Sequence, residues 1–348
     1  MNVLIIGYFG RNNLGDDLML INLLNFIREK YPKASLSVVL HDINAMKILT
    51  NKVKIISSSD RLSYIKALYS SDIVIWGGGT CFYDSGSKLG NRGLDDLIKI
   101  GLLCRLFKTK LIFLGVGVGK VTKNVRNKIK TIFKLSHAVY LRENYSSEVA
   151  KKIYQKDKFF RSGDLALLSN ASVMPEKIRD KKYITFSGVY NYSINIEKIC
   201  EILEYLSAKL DAEVYFIPCH RDPLDDNSSH EAISKELGVD STIFDIKSIE
   251  EYVTIIKGSS FHIGVRLHSL VLADLYSVPN IGLEYSPKIK NYINSTLVLE
   301  QYRCFEDISM IDFDILDKVI NRYQKPNEFI DMENIYTFKA IERIFNDR

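Results

Sequence analysis

Val3-Leu-Ile-Ile-Gly-Tyr-Phe-Gly-Arg-Asn-Asn-Leu-Gly-Asp-Asp17 passes from a short apolar run through a glycine-bearing loop into an amphipathic segment that Pro32 closes. Val3–Ile6 is short and mostly β-branched, so it reads as a buried strand, and Asp16–Tyr31 reads as the helix after it. The same alternation continues outward. Further strands are predicted at Ser35–Leu40, Ile73–Trp76, Leu111–Leu114 and Ala138–Leu141, with helices at Leu94–Phe107 and Asn124–Leu135. Strands separated by helices require crossovers, and crossovers dictate a parallel sheet covered on both faces. Beyond a polar stretch around Pro175 the pattern restarts. Strands are predicted at Tyr183–Ser187, Glu213–Ile217, Phe261–Val265 and Asn280–Leu283, and helices at Asn195–Leu210, Ser248–Lys257 and Leu267–Tyr276. The expectation is an α/β protein with two Rossmann-like parallel-sheet domains facing a cleft, residues 1–168 and 183–326, joined by a linker at 169–182. A helical segment at 327–348 follows, which folds of this kind can carry back onto the first domain.

The 348 residues are 46% hydrophobic and 26% charged, which suits two folded cores and excludes a disordered chain. A net charge of +5 suits an anionic small substrate or an anionic membrane surface and is too small to imply nucleic acid. Cys81, Cys104, Cys200, Cys219 and Cys304 include no CxxC pair and read as reduced thiols of a cytoplasmic protein. Met1–Gly7 lacks the charged flank of a signal peptide, and no apolar run reaches the roughly 18 residues of a membrane span. No His, Cys, Asp or Glu cluster has metal-ligand spacing, so no metal is expected.

In open parallel sheets ligands sit beyond the carboxyl ends of the strands, so the loops after the strands carry the candidate residues. Gly7, Gly10 and Gly15 are not spaced as a dinucleotide fingerprint. Asp16 and Asp17 stand where a phosphate would otherwise lie and would repel it. That loop, with Asn13, fits a hydroxyl-rich acceptor better, though either Asp could simply cap the helix. Gly77-Gly78-Gly79-Thr80, with Asp84 beyond it, allows a ligand to approach the backbone or forms an ordinary turn. Gly115-Val-Gly117-Val-Gly119-Lys120 lacks the P-loop pattern, since residue 114 is Leu and 121 is Val, so ATP hydrolysis is excluded. Arg142, at a strand end, can grip a carboxylate or phosphate with its fork, or can pair structurally with Glu143 or Asp164. Arg266-Leu267-His268-Ser269 lies where a strand turns into a helix, so a guanidinium, an imidazole and a positive helix terminus coincide. His262, in mid-strand, reads as structural.

Taken in order, these motifs resemble the polysaccharide pyruvyltransferase family: a Gly-Tyr start ending in Gly-Asp-Asp17, the GGGT loop, GVGVG, Arg142-Glu143, Gly163-Asp164-Leu-Ala166, Arg266-Leu-His-Ser269 and Gly282-Leu-Glu-Tyr285-Ser-Pro-Lys288. The resemblance spans residues 7–288 and implies a GT-B-like fold. It also implies an enzyme that transfers pyruvate from phosphoenolpyruvate, with no other cofactor, to a sugar of a cell-surface polysaccharide (capsule, exopolysaccharide or cell wall) or its lipid-linked precursor. Carried over by motif, Arg142 and Arg266 match the donor-binding arginines of that family, and Leu267, Ser269 and Lys288 are expected on the donor side with them. His268 is the catalytic histidine, with Asp16 and Asp17 as acid–base candidates. Asn13, Gly78, Gly79, Thr80, Asp84 and Gly117 line the acceptor side. The expectation is that Arg142, Arg266 and His268 converge in one crevice. The alternatives are a nucleotide-sugar glycosyltransferase in the same frame and a non-catalytic protein of a glycan pathway.

From Leu97 to Arg142 there is no Asp or Glu but there are eleven Lys or Arg. Lys120, Lys123, Arg126, Lys128, Lys130 and Lys134 are expected to form a basic helical face, either solvated or set against anionic lipid at the inner face of the membrane.

Overall fold

A computed structural model describes residues 1–43, 53–168, 181–190, 194–220, 225–246, 248–296 and 303–346. The stretch expected as a linker falls mostly at 169–180, outside the described residues. The chain forms two compact units: Met1–Arg11, Asp16–Ser169 and Met332–Arg348 make the first, and Asn12–Gly15 with Asn170–Asp331 make the second.

In chain order the first unit contains β1 (Asn2–Ile6), α1 (Leu14–Lys30), β2 (Ser35–Leu40), β3 (Lys54–Ser57), α2 (Arg61–Ser70), β4 (Ile73–Gly77), β5 (Thr80–Phe82), α3 (Arg92–Phe107), β6 (Lys110–Val118), α4 (Lys123–Leu135), β7 (Ala138–Leu141), α5 (Asn144–Ile153) and β8 (Phe159–Arg161). Its eight-stranded sheet runs β3-β2-β1-β4-β6-β7-β8, with β5 added on β6. Its ladders are parallel. Val3, Leu4, Ile5 and Ile6 are all buried, as a central parallel strand requires. On α4 the buried residues are Val125, Ile129, Ile132 and Phe133, one stripe at helical spacing that packs with Leu97 and Cys104 of α3 over Phe113 and Val139.

β6 extends well past the Leu111–Leu114 expected, so Gly115 and Gly117 lie within a strand rather than in a loop after it, and Gly119 follows its end. The register of β6 shifts between Leu114 and Val116, and the residue between them, Gly115, has φ of +68°. A glycine there absorbs a bulge that an L side chain would strain.

The second unit contains β9 (Lys182–Ser187), α6 (Ile196–Leu210), β10 (Ala212–Phe216), α7 (Asn227–Glu236), β11 (Ser241–Ile243), α8 (Ile249–Lys257), β12 (Phe261–Gly264), α9 (Leu267–Leu275), β13 (Asn280–Leu283), α10 (Pro287–Ser295), β14 (Cys304–Phe305) and α11 (Phe313–Arg322). Its six strands run β11-β10-β9-β12-β13-β14, with parallel ladders throughout. The last helix, α12 (Asn327–Asn346), counts with the second unit up to Asp331 and with the first from Met332. Within the first unit Phe338 of α12 stacks on Phe26 at 4.9 Å, and Phe345 stacks on Tyr31 at 4.2 Å.

In each sheet the chain lays strands outward from its first strand, then returns to build on the other side. The order therefore reverses at β1/β4 in one unit and at β9/β12 in the other. Beyond the carboxyl ends of such strand pairs the flanking loops diverge and leave room for a ligand.

Candidate functional site

In the first unit the carboxyl ends of β1, β4 and β6 gather most of the residues read from the sequence. Asp17 is buried, and its Oδ1 accepts the Gly10 N–H at 2.8 Å, closing the loop after β1. Burial raises its pKa to about 6 against the opposing effect of that hydrogen bond. Asp16 is turned toward the β4 loop, with its Oδ1 3.6 Å from where a Cβ on Gly79 would lie. Gly78 and Gly79 have φ of +70° and +77°, a turn that only glycine makes without strain. The Gly117 N–H donates to Gly79 O at 2.9 Å, which sets the turn beside β6.

Around Gly117 the structure builds a polar cradle. A Cβ there would lie 3.1 Å from Thr80 Oγ1, 3.1 Å from Glu143 Oε1 and 3.3 Å from Arg142 Nη2. Arg142 is itself buried. Its Nε donates to Glu143 Oε2 at 2.8 Å and its Nη1 to Asp164 Oδ2 at 3.1 Å. Burial alone would depress its pKa, but Glu143 and Asp164 outweigh that and hold it charged. Both structural ion pairs therefore form, and they aim Nη2 at the glycine. Ser146 continues the chain of contacts, donating to Glu143 and accepting the Val118 N–H at 2.7 Å. Asp84 is used differently. It accepts from Thr122, from Asn91 at 2.9 Å and from the Gly86 N–H at 2.9 Å, which ties the loop after β5 to the start of α4 and lowers its pKa.

In the second unit Arg266 caps α9, and its Nε and Nη2 reach both oxygens of Asp226, at 3.1 and 2.5 Å. Asp226 is fully buried and also accepts the backbone N–H groups of Tyr190, Cys219 and His220, at 3.0, 3.2 and 2.9 Å. Burial would again lower the Arg266 pKa, and Asp226 more than restores it. The guanidinium is thus a fixed cation whose orientation is set by a carboxylate bound to the loops after β9 and β10. His230 supports the same wall. Its Nε2 accepts the Gly188 N–H at 2.9 Å, so Nδ1 carries the proton toward Asn227 Oδ1 at 3.0 Å. Burial and the nearby Arg266 depress its pKa to about 3, so the ring is neutral.

His268 opens the first turn of α9 and lies over residues 12–15. A Cβ on Gly15 would fall 2.0 Å from His268 Nδ1, so the imidazole occupies the space that any side chain at 15 would need. The 12–15 segment is seated by a Leu14 N–H bond to Cys219 O at 2.9 Å and by the antiparallel bridge Asn13–His220. Asn13 Oδ1 also accepts the Gly15 N–H at 3.2 Å. Leu267 and Ser269 are buried, and the Ser269 hydroxyl is committed to Arg266 O at 2.7 Å, steadying the helix entry. Lys288, in the first turn of α10, lies 5.2 Å over the Tyr285 ring, and Tyr285 acts electrostatically on Arg266. His262 is fully buried against Thr185, 2.9 Å away, with its pKa lowered to about 3 by burial, in keeping with a structural residue.

The structure therefore groups Asn13, Arg266, Leu267, His268, Ser269 and Lys288 in one unit, and Asp16, Gly78, Gly79, Thr80, Gly117 and Arg142 in the other, with Asp84 in the loop beside them. The reading from sequence missed Asp226. An Asp before a helix signals a cap, and Asp226 does precede α7, but it makes no side-chain cap bond and serves Arg266 instead. Among the described residues no group of three or more His, Cys, Asp or Glu is placed to hold a metal ion.

A search of curated proteins finds none that matches. Solved structures do. MnaA of S. aureus, in a co-structure with UDP, is 13% identical with a TM-score of 0.65, covering 99% of this chain and 96% of that one. UDP-GlcNAc 2-epimerase from Methanocaldococcus jannaschii is 13% identical, with a TM-score of 0.64 and full coverage of both chains. HepE from Anabaena, in complex with UDP-glucose, is 9% identical with a TM-score of 0.60, covering 98% of this chain and 99% of that one. At such identities the likeness is one of fold, the paired parallel-sheet α/β architecture of GT-B proteins. The sequence model of the polysaccharide pyruvyl transferase family matches residues 13–287, a span that holds Arg142, Arg266 and His268, and the chain belongs to that family.

Proposed function

We propose that this protein transfers pyruvate from phosphoenolpyruvate to a sugar of a cell-surface polysaccharide, or of its lipid-linked precursor, forming a cyclic ketal on the cytoplasmic side of the membrane. The observation that carries the reading is the β12–α9 junction, where Arg266, locked by Asp226, and His268, seated over Gly15, share the positive end of a helix. A three-carbon acid that carries both a carboxylate and a phosphate matches that set. A forked guanidinium and helix N–H groups suit its phosphate or carboxylate, and an imidazole beside them can move a proton near neutral pH.

The chemistry balances without another cofactor. A proton added to the methylene carbon of phosphoenolpyruvate makes a methyl group and leaves the adjacent carbon oxocarbenium-like. One sugar hydroxyl attacks that carbon and releases its proton. The carbon–oxygen bond to phosphate breaks, and phosphate departs as the protonated dianion. A second hydroxyl of the same sugar closes the ring, so the two hydroxyl protons account for the new methyl hydrogen and the proton on phosphate. We assign His268 to proton transfer at the phosphate side and Arg266, with Lys288, to the donor's charge. In the first unit Asp16 or Asp17 is assigned to orient or deprotonate an acceptor hydroxyl; one oxygen of Asp17 accepts the Gly10 N–H. Arg142, held by Glu143 and Asp164, is assigned to an anionic group of the substrates.

The deciding measurement is phosphate release from phosphoenolpyruvate as a function of added glycan, with mass analysis of the glycan for a pyruvate ketal. His268→Ala should lower turnover by about 10²–10⁴-fold with the fold intact. Turnover unchanged by that substitution removes His268 from the mechanism. A nucleotide released from a nucleotide sugar, with none of the ketal, would replace this reading with glycosyl transfer.

A further inference from the structure

Two helices of the first unit carry apolar side chains that the fold does not use. On α2, Ala67 and Leu68 face the core, while Leu62, Ile65 and Tyr69, at helical spacing, are 82%, 44% and 69% exposed. On α3, Leu94, Leu97, Gly101 and Cys104 are buried, while Leu102 and Leu106 are 54% and 72% exposed. The helices pack as neighbours, and the Tyr69 ring meets Phe107 edge-on at 5.4 Å, which places the two exposed sets on adjoining helices. Single exposed leucines are ordinary on a protein surface, but an apolar ridge of this kind on adjoining helices marks a docking face.

The charges around the ridge are mostly of one sign. Arg61, Lys66, Lys99, Arg105 and Lys108 are exposed on the same helices. Next to α3, α4 adds exposed Lys123, Arg126, Lys130 and Lys134, with Gly101 of α3 packed close against Leu135. The acids on or beside these two helices are Asp60, Asp72, Asp95 and Asp96, and each is engaged: Asp60 accepts the Ser63 N–H at 3.1 Å, Asp72 the Asn2 N–H at 2.7 Å, Asp95 pairs with Lys128 at 2.7 Å and Asp96 with Lys99 at 2.9 Å. The acid-free stretch from Leu97 to Arg142 thus supplies most of the cations, α2 adds Arg61 and Lys66, and the apolar component comes from α2 and α3.

We infer that the α2–α3 ridge is a peripheral docking face for an anionic lipid bilayer. Leu62, Ile65, Tyr69, Leu102 and Leu106 enter the boundary between headgroups and acyl chains, and the surrounding Lys and Arg lie among anionic headgroups. Apolar residues and cations together match this surface, whereas a second copy docked on the same face would set like charges against one another. The inference goes beyond the proposed reaction and does not depend on it.

The test uses the whole protein, sedimented with vesicles of phosphatidylcholine alone and of phosphatidylcholine mixed with phosphatidylglycerol. Binding is expected to the anionic vesicles and to weaken as salt is raised. Leu102→Ser with Leu106→Ser should reduce the partition coefficient by about tenfold or more, while phosphate release on a water-soluble glycan stays at the parent level. Absence of binding to anionic vesicles at low salt overturns the proposal, as does equal binding by the double variant. A parent protein that dimerises in solution and loses the dimer on these substitutions also overturns it, since the face would then serve a second copy. Failure of any of these leaves the soluble-glycan assay, and so the reaction, as a separate result.

Discussion

A methyl group on Gly15 would fall 2.0 Å from His268 Nδ1, well inside van der Waals contact, so the imidazole or the 12–15 turn must move to admit it. Gly15 is not in the left-handed region, so the cost is one of space rather than of backbone conformation. Gly15→Ala should therefore lower kcat/KM by about 10²-fold, as a displacement near 1 Å can, with a smaller effect on the melting temperature. Steady-state kinetics on protein checked by circular dichroism would show it. Arg266 carries a complementary prediction. Two of its nitrogens are taken by Asp226, so its role toward a ligand depends on a geometry that an ammonium cannot reproduce. Arg266→Lys should raise the KM for phosphoenolpyruvate by about tenfold, the equivalent of roughly 1.4 kcal/mol. An unchanged KM would show that the guanidinium serves only Asp226. Asp226→Asn should reproduce part of the same defect, because the amide keeps the shape and loses the charge that aims the fork.

At the scale of elements, α12 holds the strand end that carries Asp164. Arg161 donates to Glu333 and to the carbonyls of Leu141 and Ser162, and the Gly163 N–H donates to Thr337 Oγ1 at 2.8 Å. Asp164, one residue on, is a partner of Arg142. Thr337→Val leaves a buried N–H without its acceptor and should cost about 1–3 kcal/mol in denaturant unfolding. Glu333 gives a pH test. Burial, aided by Asp164 and Glu143, raises its pKa from 4.5 to about 8, against the pull of Arg161. Since the folded value exceeds the unfolded one, the folded state holds the extra proton in between, and stability falls as pH rises through that window. Glu333→Gln should flatten that fall relative to the parent between about pH 5 and 8, read as melting temperature against pH. The helix itself was legible in the sequence as a helical terminal segment, but its contacts were not, because Glu333 and Thr337 look like ordinary surface residues until Gly163 is brought against them. The limits of local reading recur elsewhere. β1, β2, β7 and β13 stand out as apolar runs between turn signals. β6 outruns its expected end because Gly115 bends the strand without ending it. Short, half-buried β8 and β11 have no apolar run to announce them. Arg266 and His268 were legible because a strand–helix junction is a local pattern, whereas Asp226 lies forty residues earlier and only tertiary structure brings it to Arg266.

At the scale of the whole molecule, each unit buries an apolar cluster among its described residues, one around Phe113 and Phe133 in the first and one around Phe186 and Phe216 in the second. Each should therefore respond to its own perturbations. The second unit contains a buried polar cluster away from the residues assigned to the reaction. Asp274 and Arg303 are both fully buried, and Arg303 Nη2 lies 2.6 and 2.9 Å from the two oxygens of Asp274. Asn280, Tyr292 and Tyr323 also donate to the same carboxylate, at 2.7, 2.9 and 2.8 Å. Five hydrogen bonds from four side chains thus tie α9, β13, α10, α11 and the strand-entry segment at Arg303 to one acid. Replacing a buried pair outright can be neutral, but removing one partner leaves a charge in a low-dielectric interior. Arg303→Met should accordingly destabilise the second unit by about 3–5 kcal/mol. Native-state hydrogen exchange locates the effect. Amides of β12 and β13 should exchange faster in the variant while those of β1 and β4 keep their protection, because no side chain of the cluster belongs to the first core. Loss of protection in both sheets together would mean that the chain unfolds as one cooperative unit and that the two cores are not energetically separate.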